Sequence, residues 1–406
     1  MAACVVDGDR SEGSTQQSAL GNRSKMGGRL SSWPCSVSSV LVVVISVALL
    51  LNAGTAVGGC YKRIFSFGDS IIDTGNFAYF IGNGPSRFKE LPFGMTFFHR
   101  ATGRISDGRV LVDFYAQALG LPLLPPSSPQ EGWGNFSTGA NFAVFGSTAL
   151  PPEYFVPRYN LRMHPPSTLD RQLDSFKGVL NRIAPGDRAR KALLSESLVI
   201  MGEIGGNDYN FWFFGDRKKP RETTYKYLPD VVARIGAAVQ ELINLGATTI
   251  LVPGNFPIGC VPAYLARKPS GNPGDDYDEH GCLKWYNDFS QRHNAALRQE
   301  VSRLRWKNPG ARLIYADYYG AAMEFVKNPR RYGIGDPLVA CCGGEGRYHT
   351  EKECGSAAKV WGNPAGFASW DGMHMTEKAY SVIAQGVLDG PYADIPLRRS
   401  CPARLS

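Results

Sequence analysis

The sequence predicts an α/β protein: a single three-layer α/β/α domain built on a five-stranded parallel sheet. Three observations lead there. Five short apolar runs read as strands, each is followed by a helical pattern, and no linker or shift in composition separates them. Repeated strand-helix alternation places the helices on both faces of a parallel sheet. The 406 residues, 43% of them hydrophobic, suffice for one large domain and exclude a disordered chain.

The strand-like runs are Ile64–Phe67, Asn141–Phe145, Leu198–Ile204, Thr249–Val252 and Arg312–Ala316. Helical stretches are expected near Val110–Leu119, Leu228–Leu245, Lys284–Arg305, Tyr319–Val326 and Glu377–Leu388. In the second of these, Val231, Val232, Ile235, Val239, Leu242 and Ile243 recur at helical spacing, and Gly246 follows as a stop. The long connections Gly120–Gly139 and Pro151–Pro166 are rich in Pro and aromatic residues, so they are expected to form ordered lids or walls over a site.

Residues 1–58 read as a leader and 59–406 as the domain. Val40–Leu51 is an apolar run too short for a comfortable membrane span; Arg29 precedes it, and Ala53, Gly54, Ala56, Gly58 and Gly59 follow. That order is the order of a secretory signal cut in the fifties, with Met26 as a plausible alternative start. The protein is thus expected outside the cell, in the apoplast or wall, with no stable membrane span in the mature chain. The alternative is an uncleaved anchor that keeps it in the Golgi.

Cysteine usage agrees with export. Of nine cysteines, Cys4 and Cys35 fall in the leader, and none of the rest forms a Cys-x-x-Cys pair, so zinc and thioredoxin-like chemistry are not expected. Local bridges are expected between Cys260 and Cys282 and between Cys354 and one of Cys341 or Cys342. An odd number of remaining thiols leaves at least one free or paired between chains. Asn135-Phe136-Ser137 is a glycosylation acceptor. The formal charge of +8 is scattered, its nearest cluster being Arg217-Lys218-Lys219 with Arg221; no zinc finger or basic helix accompanies it, so no nucleic-acid partner is expected.

The chemistry is sought at the strand ends, where α/β folds hold ligands. After Ile64–Phe67, Gly68 allows a tight turn that presents Ser70 on a rigid support, as a nucleophile requires. Of the six histidines, His374 has a carboxylate three residues before it, in Trp370-Asp371-Gly372-Met373-His374. Asp371 can bind one ring nitrogen while the other faces outward, which fixes the tautomer. Gly205-Gly206-Asn207-Asp208 ends the third strand and Gly146 the second. With the Ser70 N–H, the Gly146 N–H and the Asn207 amide give three donors for an oxyanion. Phe211-Trp212-Phe213-Phe214 and Trp133 are candidate walls of an acyl or aromatic pocket, with buried packing the alternative for each of them. Asp69 and Asp73 read as turn and hydrogen-bonding residues.

These stretches, in this order, resemble the GDSL esterase/lipase family of the SGNH hydrolases. Phe67-Gly68-Asp69-Ser70 with Asp73-Thr74-Gly75-Asn76 is similar to the first block and Gly139-Ala140-Asn141-Phe142-Ala143 with Gly146 to the second. Gly205-Gly206-Asn207-Asp208-Tyr209 is similar to the third, and Trp370–His374 to the last. Thr102–Arg109 and Gly259-Cys260-Val261-Pro262 resemble the plant branch. The likeness spans roughly Cys60 to Pro391, with Ile71 standing where the family has its name-giving Leu. It implies a flavodoxin-like sheet and Ser70 as nucleophile. It further implies His374 as base, Asp371 as its orienter, Gly146 and Asn207 with the Ser70 amide as oxyanion hole, and no metal or organic cofactor. The expected substrate is a carboxylic ester, with short acyl or acetyl esters of secondary metabolites or wall polysaccharide favoured. A long-chain lipase, an acyltransferase using the same residues and a catalytically dead binding protein are the alternatives.

Overall fold

A computed structural model describes residues 60–128, 135–215, 220–268 and 276–401. The leader, Trp133 and Arg217–Lys219 lie outside the described residues. Five parallel strands, β1 (Arg63–Ser66), β2 (Gly139–Asn141), β3 (Ser197–Ile200), β4 (Thr249–Pro253) and β5 (Arg312–Ala316), pair in the order β2-β1-β3-β4-β5. This is the flavodoxin-like order, in which the connection reverses direction beside β1 and opens a crevice between β1 and β3.

Successive strand residues face opposite sides of the sheet, and the sequence fills both sides with apolar groups. Phe65, Val199, Ile250 and Leu313 join one buried cluster; Ile64, Leu198, Leu251 and Ile314 join the other. The first face is covered by helices α4 (Leu169–Ile183), α7 (Thr224–Leu245) and α9 (Lys284–Lys307). The second is covered by α2 (Leu111–Ala118), α10 (Tyr318–Lys327) and α11 (Glu377–Asp389). In α7 the buried residues include Val231, Val232, Ile235, Val239 and Leu242, and Gly246 caps the helix at φ +116°.

Two of the strands end earlier than the sequence indicates. β2 stops at Asn141 because its side-chain oxygen accepts the Ala143 N–H at 2.7 Å while its amide binds the Ile72 carbonyl, bending the chain across the sheet edge. β3 stops at Ile200 and Gly202 turns at φ +69°, where a side chain would meet the Phe67 carbonyl oxygen at 1.8 Å. Helix α4 and α5 (Asp187–Ser195), both between β2 and β3, are additions to the sequence reading. The spacing of Leu169, Leu173, Phe176, Val179 and Leu180 behind the Thr168 cap carries the signal for α4.

Among the described residues, the long connections pack against the sheet edge and the core. Within Gly120–Gly139, Pro126 pairs alongside Asn141, so the segment extends the sheet edge at β2. Pro151–Pro166 contains helix α3 (Pro152–Tyr159), whose Phe155 packs edge-on against Tyr227 in the core.

Among the described residues, three disulfides close the fold: Cys260–Cys282, Cys342–Cys354 and Cys60–Cys401. The last joins the two ends of the described chain and was not anticipated. Cys341, one of the two partners offered for Cys354, is a free buried thiol, because neighbours on an extended segment point to opposite sides. Burial pushes that thiol up to about 12. Asn135 is exposed, as an acceptor must be, and its side chain accepts the Ser137 N–H at 3.0 Å.

Candidate active site

The turn after β1 is held from three directions. Gly68 sits at φ +129°, a conformation that disfavours any side chain, and a Cβ there would lie 2.9 Å from Ile72 and 3.0 Å from the Glu203 carbonyl oxygen. Gln172 on α4 clamps the same glycine: the Gly68 N–H donates to Oε1 at 2.9 Å, and Nε2 donates to the Gly68 carbonyl at 2.7 Å. Asp69 accepts the Ile71 N–H at 3.0 Å. Asp73 accepts four backbone N–H groups, from Gly75, Asn76, Phe77 and Phe145, at 2.7–3.1 Å. It thereby ties the Ser70 turn to the loop that carries Gly146. Burial pushes its carboxyl up to about 6, against the pull of those N–H groups.

On the opposite wall, His374 Nε2 lies 2.9 Å from Ser70 Oγ, and Nδ1 lies 2.8 Å from Asp371 Oδ2. Asp371 Oδ1 also accepts the N–H groups of Met373 and His374, at 3.0 and 2.8 Å. Burial pushes the Asp371 carboxyl up, but the His374 ring and these N–H groups outweigh it and leave the group below its ordinary range. The turn requires Gly372 at φ +92° and is fixed to the body on both sides. Cys342 N–H donates to the Trp370 carbonyl at 2.7 Å, so the Cys342–Cys354 bridge braces it from one side. From the other, Asp107 accepts the Glu377 N–H at 2.7 Å, Arg109 pairs with Glu377 at 2.6 Å, and Ser106 donates to the Met375 carbonyl at 3.2 Å. This gives the Thr102–Arg109 stretch a role that the sequence alone does not reveal.

Of the residues expected to supply donors, Ser70 and Asn207 line one cleft, and the Asn207 amide donates to the carbonyl of Ser147, the residue after Gly146, at 3.0 Å. Gly146 follows the β2 bend at φ +74°, beside Pro166, and Asn207 opens helix α6 (Gly206–Phe213) just beyond β3. Asp208 accepts the N–H groups of Ala149 and Leu150 at 2.8 and 2.9 Å, which locks that helix to the Gly146 loop; burial pushes its carboxyl up to about 7. The other histidines stand apart. His293 is buried in the core, where its Nδ1 meets the Tyr209 hydroxyl at 2.9 Å and burial brings it down to about 4. His349 stacks on Trp361, and His99 and His164 are exposed.

Ser70, Asn207 and His374 open into a cleft of about 890 Å³, walled by Phe145, Phe256, Val261, Tyr264, Met373 and Met375. A smaller apolar recess of about 390 Å³ adjoins it behind the two methionines. Neither is walled by Phe211–Phe214. On α6 the cleft face carries Gly206, Asn207 and Asn210, while Trp212 and Phe213 turn back into the core. The aromatic run therefore supports the helix and leaves the pocket to other elements.

An acidic residue on a histidine that faces a serine hydroxyl, opposite backbone and amide donors, is the arrangement of serine hydrolases. The model of the GDSL-like lipase/acylhydrolase family matches residues 64–387, and the chain belongs to that family. A GDSL esterase/lipase of Arabidopsis thaliana is 41% identical over 374 residues, covering 89% of this chain and 93% of its own length. The sinapine esterase of Brassica napus is 41% identical over 349 residues, covering 84% and 88%. The protein is a carboxylic ester hydrolase.

Proposed function

We propose that the protein is a secreted serine esterase of short or compact acyl esters, working through Ser70, His374 and Asp371. His374 Nε2 accepts the Ser70 proton as the hydroxyl attacks the ester carbonyl, and Asp371 stabilises the imidazolium that forms. The tetrahedral oxyanion is held by the N–H groups of Ser70 and Gly146 and by the Asn207 amide. The leaving alcohol takes the proton from His374; water, activated by the same ring, then releases the acyl group. The observation that carries this reading is the continuous chain of 2.8 and 2.9 Å contacts from Asp371 through His374 to Ser70.

The small recess behind Met373 and Met375 supports a compact acyl group over a long chain. A relative named for sinapine supports esters of secondary metabolites as one substrate class. The apolar run Val40–Leu51 and the three disulfides support passage of the chain through the secretory route, with residues 1–58 removed and Asn135 glycosylated. The test is a series from p-nitrophenyl acetate to palmitate, with acetylated xylan and sinapine beside it, using the protein and Ser70→Ala. Turnover that falls with chain length and vanishes in the variant is expected. Unchanged turnover in Ser70→Ala removes the proposal, and preference for palmitate removes its substrate class.

A further inference from the structure

Two carboxyl groups that the ester chemistry does not use lie in the cleft beside the nucleophile. Asp69 and Glu203 are only 3% and 4% exposed, and their side chains are hydrogen-bonded to each other. Two carboxylates cannot share a hydrogen bond without a proton, so the contact requires one proton between them. Glu203 is held in place by the Gly206 N–H, which donates to Oε1 at 3.2 Å.

The other Asp69 contact is with Asn207. An amide nitrogen carries two hydrogens. In Asn207 one goes to Asp69 Oδ2 at 2.8 Å and the other to the Ser147 carbonyl at 3.0 Å. The remaining oxyanion donors differ. Among the described residues, no acceptor is placed on the N–H of Ser70 or of Gly146. Two donors are thus open, and the third is already engaged by a carboxyl group.

We propose that Glu203 is a positioning residue that, by sharing a proton with Asp69, loosens the Asp69 hold on the Asn207 amide so that this amide can turn to the oxyanion. The inference rests on the esterase reading above. Hydrogen bonds to an ionised acceptor are roughly twice as strong as neutral ones. A bare Asp69 carboxylate therefore competes with the oxyanion for the same hydrogen, whereas an Asp69 already bonded to the Glu203 proton competes less. Loss of that proton also sets a second negative charge against the one forming on the substrate.

Burial pushes Asp69 up to about 6 and Glu203 well above its ordinary range, each raised further by an acidic neighbour. The pair accordingly holds its proton to higher pH than two free carboxyl groups would, and gives it up as pH rises. Asp73 and His374 face Asp69, and Asp208 faces Glu203. The phenols of Tyr209, Tyr264 and Tyr318 face Glu203 and that of Tyr380 faces Asp69; all four are raised, so they stay neutral through the same range.

The test compares the pH profile of kcat for the wild type, Glu203→Gln and Glu203→Ala on p-nitrophenyl acetate, with Ser70→Ala as the blank. Glutamine keeps a permanent donor to Asp69 and an acceptor for Gly206. It is expected to retain the maximal kcat of the wild type and to lose the fall with rising pH expected of the wild type. Alanine leaves Asp69 bare and should lower kcat by up to about 10²-fold, the scale of one lost oxyanion donor, with KM little changed. A fall with rising pH that persists unchanged in Glu203→Gln overturns the inference, and it remains decisive if Glu203→Ala does not fold. Activity surviving in Ser70→Ala would instead remove the esterase reading itself.

Discussion

Gln172→Leu isolates what holds the nucleophile turn. The glutamine is 2% exposed and makes two hydrogen bonds to Gly68, whose N–H has no other acceptor among the described residues. The Gly68 carbonyl keeps a second, longer bond from the Val144 N–H at 3.3 Å. Leucine fills nearly the same space but leaves the buried N–H unpaired, at about 1–3 kcal/mol, and removes one of two bonds to the carbonyl, at about 0.5–1.5 kcal/mol. The sum is a loss of roughly 1.5–4.5 kcal/mol, read from denaturant unfolding with the disulfides intact. Because Gly68 is two residues from Ser70, kcat should fall as well. Gln172→Glu keeps the acceptor for the N–H but sets a carboxylate oxygen against the Gly68 carbonyl. Protonation relieves that contact, so this carboxyl is raised in the folded state. Its destabilisation should be small below the ordinary glutamate range, near pH 4, and grow as pH rises through the raised value. Gln172→Leu unfolding within about 0.5 kcal/mol of the wild type, the ordinary range for an inert surface change, would refute the clamp.

Two further substitutions test the site. Asn207→Ala should lower kcat by roughly 10²–10³-fold, since it removes one oxyanion donor, and should cost about 1–3 kcal/mol of unfolding free energy, since Asp69 and the Ser147 carbonyl lose its amide; steady-state kinetics on p-nitrophenyl acetate and denaturant unfolding read the two effects. Asp371 is held below its ordinary range by His374 and two N–H groups, so it adds stability above the unfolded carboxyl's pKa and loses it as pH falls through the folded value. Asp371→Asn should therefore flatten the acid side of the stability profile, and it should cut kcat by roughly 10⁴-fold, the scale of losing the histidine's orienter.

The parts of the site that lie close in sequence were legible without coordinates. Asp371 and His374 are three apart across a glycine turn, and Gly68 with Ser70 follows an unmistakable buried strand, so local geometry fixes their relation. The supports were not legible. Gln172 reaches Gly68 across 104 positions, and Asp107 reaches Glu377 across 270, contacts that no periodicity encodes. The choice between pocket wall and core packing for Phe211–Phe214 falls to the core for a related reason: four aromatics in a row on a helix cannot share a face, and here the cleft face belongs to Asn207 and Asn210. The Cys60–Cys401 bridge joins residues 341 apart and depends on the C-terminal segment meeting both Tyr61, just before β1, and Arg312 of β5, each of which donates to the Ser400 carbonyl. Helix coverage of both faces followed from the alternation itself and the flavodoxin-like sheet from the family resemblance, whereas the ends of β2 and β3 were set by Asn141 and Gly202, one through its side chain and one through its lack of one.

The central claim is that the hydroxyl of residue 70 performs the attack. Treating the protein with a fluorophosphonate ester and mapping the modified peptide by mass spectrometry tests it directly. A single adduct on Ser70, formed in step with loss of esterase activity and blocked in His374→Ala, is the expected result. Inactivation with the label on another residue, or full labelling without loss of turnover, would contradict it.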